Sequence, residues 1–146
     1  MLWKPYDTPS TYSANSLMRL KTCSEPIQKI FLSLAQDGWD ISIFCGRRTE
    51  EEQTAAYAAG LSNARWPYSD HNVEHPDDLS DAIDAGPWVS GIGVPWKAGD
   101  AVWTYFAGVT MSKAHELGHE LEWGGFYVNK KTGRPLKDMN HFSLVK

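Results

Sequence analysis

Apolar residues recur at helical spacing in several stretches of the chain. Ile27, Ile30, Phe31 and Leu34 share one face behind Ser24 and Pro26, which predicts a helix ending near Gly38. Ahead of it, Ser13 or Asn15 can cap a shorter helix carrying Leu17 and Leu20, after a turn-rich lead-in over residues 5–12. Thr49, with Glu52 three residues on, forms a capping-box signature for a helix through residue 59 that stops at Gly60. A long stripe of Trp103, Phe106, Thr110, Ala114, Leu117 and Leu121 predicts a helix over 100–120. Residues 40–45, with Ile41, Ile43 and Phe44, read as a strand, as do the stretch around Ala82-Ile83-Asp84-Ala85 and residues 139–145. Residues 61–79 have no periodicity, and an irregular stretch of that length points to function. Helices that precede a small sheet suggest an α+β fold, with a small antiparallel sheet packed against several helices.

Composition narrows the picture. At 146 residues the chain is expected to be one domain spanning 1–146, and 42% hydrophobic residues with seven tryptophans suit a globular protein. A net charge of −4 argues against a nucleic-acid partner, which would call for a basic stripe. The basic residues Lys130, Lys131, Arg134 and Lys137 surround Gly133 and Pro135 and read as a solvated turn, with contact to an anionic polymer as the alternative. The N-terminus lacks the apolar core of a signal peptide, and no run approaches the ~20 apolar residues of a membrane span. Synthesis in the cytoplasm, no stable membrane association and a monomer are therefore expected. The two cysteines, Cys23 and Cys45, form no C-x-x-C pair, and a reduced Cys45 buried in its strand is preferred to a disulfide.

The candidate chemistry lies at His71, Asp84 and His141, with Asp138 three residues before the last. Two imidazoles and one carboxylate are what a protein contributes to a catalytic zinc site whose fourth position stays open, and Asp138 is the spare acid. Asp84 stands among Ala82, Ile83 and Ala85, where an unpaired carboxylate is costly to bury and a cation removes that cost. An aspartate capping a turn at Gly86-Pro87 is the plainer alternative, and Asp77, Asp78 and Asp81 are substitute ligands. A rival motif is His115-Glu116-Leu117-Gly118-His119, which satisfies H-E-x-x-H, the helical zinc signature. Its extended form fails, because Glu122 and Gly125 stand at the last two positions, and both histidines fall off the apolar stripe. Trp66, Tyr68, Trp88, Trp96, Trp123 and Tyr127 are mostly packing residues, some of which could line a groove.

Ser69-Asp70-His71-Asn72, Ser80-Asp81-Ala82-Ile83-Asp84 and Asp138-Met139-Asn140-His141-Phe142 resemble the S-x-H…A-x-D and D-x-x-H-F motifs of one zinc peptidase family. It includes D-alanyl-D-alanine carboxypeptidases and phage L-alanyl-D-glutamate endopeptidases. Gly46-Arg47-Arg48-Thr49 with Glu52-Gln53, Tyr57 and Gly60 is similar to its G-x-R-T…E-x-Q…Y…G stretch, and Leu121-Glu122-Trp123-Gly124-Gly125 to its W-G-G segment. The resemblance covers nearly the whole chain. It favours Asp84 over Asp78, making residues 73–79 an insertion, and gives the H-E-L-G-H helix a structural role. It departs at Phe126-Tyr127, where relatives often carry an acid or amide and then tryptophan.

What the resemblance implies is a LAS-type, hedgehog or D-Ala-D-Ala peptidase-like fold, with Zn²⁺ on His71, Asp84 and His141. Asp138 becomes the general base, and Arg48 a donor to the oxyanion or a grip on a substrate carboxylate. The implied substrate is the peptidoglycan stem peptide, cut at the L-alanyl-D-glutamate bond by a phage-type endolysin. Such an enzyme waits in the host cytoplasm and reaches the wall after holin-type release. A D-alanyl-D-alanine carboxypeptidase is the close alternative. A non-catalytic wall-binding or virion protein is the distant one, although such a protein has no need to keep Asp138 with all three ligands.

Overall fold

The computed structural model describes residues 2–146. Helices α1 (Ala14–Leu20) and α2 (Glu25–Gln36) are followed by strand β1 (Ile41–Cys45), helix α3 (Glu50–Ala58) and strand β2 (Ala82–Pro87). Helix α4 (Asp100–Glu116), strand β3 (Leu121–Trp123), a 3-10 turn over Gly124–Phe126 and strand β4 (His141–Leu144) complete it. All strand pairs are antiparallel, in the order β1-β2-β4-β3. The expected mixed architecture of a small antiparallel sheet and four helices is what the chain adopts.

Alternation along the central strands separates packing from chemistry. Successive residues of a strand point to opposite faces, and β2 pairs with β4 as Ile83↔Phe142 and Asp84↔His141. Ile83 and Phe142 therefore share the face that meets the helices, with Phe142 edge-on to Phe31 of α2 and Phe106 of α4. Asp84 and His141 share the other face. The chain ahead of the turn-rich lead-in also packs: Trp3 is buried against Trp39 with ring centroids 4.2 Å apart, and its indole N–H donates to the Asp40 carbonyl at 2.8 Å.

The ends of the elements follow their caps. Ser13, rather than Asn15, caps α1 by accepting from Ser16 N, and Thr49 and Glu52 form the reciprocal capping box on α3. Ser24 occupies the N-cap of α2 without a side-chain cap bond. Helix α4 is shorter than its apolar stripe suggests. It stops at Glu116 because Gly118 takes φ +84°. Gly118 N then donates to the His115 carbonyl and His119 N to the Ala114 carbonyl, the double bond of a Schellman stop. Leu117 is consequently exposed, and Leu121 reaches the core from β3. One further expectation is corrected and one alternative falls away. The fully buried thiol is Cys23, whereas Cys45 is half-buried, and both are free. Asp84 lies inside β2, which runs on to Pro87, so it caps no turn.

Candidate active site

An irregularity in the sheet sets the site. β1 pairs with β2 as Ile43↔Ala85 and then Cys45↔Asp84, so Phe44 and Cys45 together oppose one residue. Bulges of this kind re-aim side chains beside functional sites, and this one brings Cys45 alongside Asp84. Across the other edge of β2, Asp84 faces His141 directly. His71 arrives from the irregular segment 61–79, held by the bond from Arg48 N to the His71 carbonyl and by its ring. His71 Nδ1 lies 2.7 Å from the Gly46 carbonyl, to which it donates, leaving Nε2 free to face the acid. A side chain at Gly46 is excluded, since a Cβ there would come within 2.5 Å of the Arg19 carbonyl.

The three donor atoms converge. His71 Nε2 and His141 Nδ1 each lie 3.1 Å from Asp84 Oδ1 and 3.2 Å from one another. Donors about 2.0–2.1 Å from a tetrahedral zinc sit roughly 3.3 Å apart, so this nearly equilateral triangle fits such an ion. Cys45 Sγ lies within 4.8 Å of the donor atoms of His71 and Asp84, so Cys45, His71 and Asp84 form a second group able to hold a metal. The trio with His141 is the tighter one. A thiolate added to it would fill the fourth position, which is the pattern of a closed structural site rather than an open catalytic one.

Around the triangle is a hollow of about 430 Å³ whose walls include Arg48, Asp70, Tyr127 and Asp138. Arg48 is mostly buried, with Nη2 3.9 Å from Asp84 Oδ2 and Nη1 donating to Gln53 Oε1 at 2.8 Å. Gln53, fully buried, also donates to Ser62 Oγ and the Ala64 carbonyl, and accepts from Asn72 Nδ2. One amide thus ties Arg48 to the loop that carries His71. Asp138 and His141 are held by the W-G-G segment: Trp123 Nε1 donates to the Met139 carbonyl at 2.8 Å. A Cβ on Gly124 would stand 2.3 Å from the Asp138 carbonyl and 3.1 Å from His141 Cβ.

The charges are strongly coupled. Burial pushes the Asp84 carboxyl up, but hydrogen bonds from His141 and His71 outweigh it and hold Asp84 well below the usual carboxylate range. Burial pushes His71 down, yet hydrogen bonding to Asp84 and Cys45 prevails and raises it to about 10. His141 reaches about 9, burial again being outweighed by Asp70 and Asp84. Asp138 moves upward, first through desolvation and then through repulsion from Asp84, against the pull of His141, His71 and Arg48.

The other candidates stand apart. Asp78 Oδ2 accepts from His75 N, and Asp81 pairs with Lys146 at 3.8 Å. His115 and Glu116 are exposed at the end of α4, Glu116 pairs with Lys113, and His119 lies beyond the helix stop. H-E-L-G-H therefore does not present two histidines from one helical turn. Arg47 donates to the Asp78 carbonyl, outside the hollow. Phe126, at the departure from the motif, packs edge-on against Trp123, and Tyr127 tilts toward His141 with ring centroids 5.9 Å apart. Cys45, Gln53 and Gly124 are parts of the site to which the sequence assigns no role. The motif wording at Glu52-Gln53 and Trp123-Gly124-Gly125 is the available signal for Gln53 and Gly124, whereas the burial of Gln53 in α3 is visible only in the structure.

Comparison with known proteins identifies the family. The sequence model described as phage L-alanyl-D-glutamate peptidase matches residues 10–145. Among solved structures, the Serratia marcescens L-Ala D-Glu endopeptidase ChiX is similar at a TM-score of 0.68 and 25% identity. The match covers 93% of this chain and 91% of that one. A search of curated proteins gives no match.

Proposed function

We propose that this chain, which belongs to the phage L-alanyl-D-glutamate peptidase family, is a zinc-dependent peptidoglycan peptidase that hydrolyses the L-alanyl-D-glutamate bond of the stem peptide. The observation that carries the metal reading is the triangle of His71 Nε2, Asp84 Oδ1 and His141 Nδ1, with edges of 3.1 to 3.2 Å. Zinc held by these residues would supply Lewis-acid polarisation of the scissile carbonyl and a water acidified to a pKa of about 7. Asp138 takes the proton of the attacking water and passes it to the departing amine, a role that its raised pKa suits. Arg48, held by Gln53, donates to the oxygen on which negative charge develops. Gly46 fixes the tautomer of His71 through its carbonyl.

The biological setting proposed is a single-domain, monomeric endolysin of the LAS-type fold. It is held in the host cytoplasm and reaches the wall after holin-type release. Among the described residues no helix is long and apolar enough to cross a membrane. Two measurements on one set of samples test the reading: metal stoichiometry and mass spectrometry of digested muropeptides, for wild type, His71→Ala and His115→Ala. One zinc per chain and release of the whole stem tail, both lost in His71→Ala and retained in His115→Ala, are expected. Loss of a single alanine would make the enzyme a carboxypeptidase, and the reverse metal pattern would move the site to the end of α4.

A further inference from the structure

A second hollow, of about 360 Å³, adjoins the first, since Lys137 and Asp138 line both. Its apolar wall is Trp96, whose surface is 61% exposed. This indole is fixed. It stacks on Trp103 at 5.0 Å and 28°, and Phe44 lies against it at 5.2 Å. Trp103 is anchored in turn by donating its indole N–H to the Pro95 carbonyl, and by the bare backbone of Gly86, where a Cβ would press to 2.7 Å from the ring. The lining also has polar members, Asn140 and a Lys137–Asp100 pair at 3.4 Å. Single exposed aromatics are ordinary. A rigid one that borders the hollow containing the candidate base, in a lining that also holds donors and acceptors, suits a ligand with one apolar face and a polar edge.

A pyranose ring has that character, its axial C–H bonds forming the apolar face and its hydroxyl and acetamido groups the edge. Peptidoglycan places such a ring close to the bond in question, because the L-alanine of the stem is amide-linked to the lactyl group of muramic acid. One residue spans about 3.5 Å and the lactyl unit about as much again, so a peptide cut after L-alanine carries its sugar about 7 Å from the reacting carbonyl, the reach of a hollow that adjoins the one containing Asp138. We propose that Trp96 is a sugar platform that seats the N-acetylmuramyl ring while the stem peptide lies across Asp138. The proposal rests on the peptidase reading above and adds the glycan as a determinant of specificity.

The test compares kcat/KM on a disaccharide-linked stem peptide with kcat/KM on the same peptide freed of sugar, for wild type, Trp96→Phe and Trp96→Ala. Wild type should favour the glycosylated substrate by about 3- to 10-fold, the range of one aromatic contact. Trp96→Ala should bring the ratio to near one, and Trp96→Phe, which keeps a smaller ring, should fall between. No preference in wild type, or a Trp96→Ala loss equal on both substrates, overturns the proposal; the equal loss would assign the platform to the peptide. Cleavage of neither substrate by wild type would instead overturn the peptidase reading. The platform is then decided by tryptophan fluorescence with peptide-free N-acetylglucosaminyl-N-acetylmuramic acid: a change absent in Trp96→Ala supports it, and no change in wild type overturns it.

Discussion

Asp138 and Cys45 flank the same donor triangle, and their chemistry separates their roles. Asp138 lines the open hollow with its pKa raised, so it can exchange a proton without being needed to hold a cation. Asp138→Asn is expected to lower turnover by about 10²- to 10⁴-fold while metal stoichiometry stays at the wild-type value; full activity would remove Asp138 from the mechanism. Cys45 stands within 4.8 Å of two of the donors but outside the tight triangle. Cys45→Ser should therefore retain zinc, as metal analysis after dialysis would read, and loss of the metal would make Cys45 a ligand in place of His141. Gln53 acts at one remove. Its amide joins Arg48, Asn72, Ser62 and Ala64, and Gln53→Leu leaves several buried polar groups without partners. The cost expected in denaturant unfolding is about 1–3 kcal/mol, accompanied by a fall in kcat as Arg48 loses its support.

At the scale of the element, two glycines contrast. Gly118 ends α4 in the left-handed region with open space around its Cα, so Gly118→Ala should cost roughly 1 kcal/mol in unfolding and leave hydrolysis intact. Gly124 has ordinary neighbours in sequence but no room: a Cβ would strike the Asp138 carbonyl and crowd His141. Gly124→Ala should displace the Asp138–His141 turn, weakening both zinc retention and activity, which metal analysis and muropeptide release would show together. The same contrast marks what the sequence made legible. Caps and one-face periodicity located α2 and α3, and short apolar runs located β1, β2 and β4, because those signals act within a few residues. The end of α4 was obscured because Leu117 and Leu121 continue the helical spacing although they belong to a stop and to a strand. His71, Asp84 and His141 were legible through their wording. Cys45 joins the site only through the bulge in β1, which spacing does not show, and Gly124, quoted in the W-G-G wording, joins it through the packing of that segment on the β4 turn.

Across the whole molecule, the sheet gives one face to the helices and leaves the other to a charge cluster with an unusual pH response. In the metal-free protein His71 and His141 are raised to about 10 and 9 and Asp84 is held low. The ion pairs among them are thus formed at neutral pH. A histidine whose folded pKa exceeds its unfolded value near 6.5 stabilises fully below that value, and its contribution disappears as the pH rises through the folded pKa. Asp84 has the opposite sign: its contribution is present above the unfolded carboxylate pKa and is lost on acidification below it. The chelated protein should therefore be most stable between about pH 4 and 6.5 as far as this cluster decides, with Tm declining toward pH 10. Zinc held by this triangle would reverse the upper limb. Ligation requires both imidazoles to present a lone pair, so binding must expel at least one proton, and apparent affinity climbs from neutral pH toward pH 9, further than for histidines titrating near 6.5. Thermal unfolding with chelator and with added zinc, from pH 6 to 10, should give two curves that diverge as the pH rises. Curves that stay parallel would mean that the cation does not displace protons from this triangle, and would place it elsewhere on the chain.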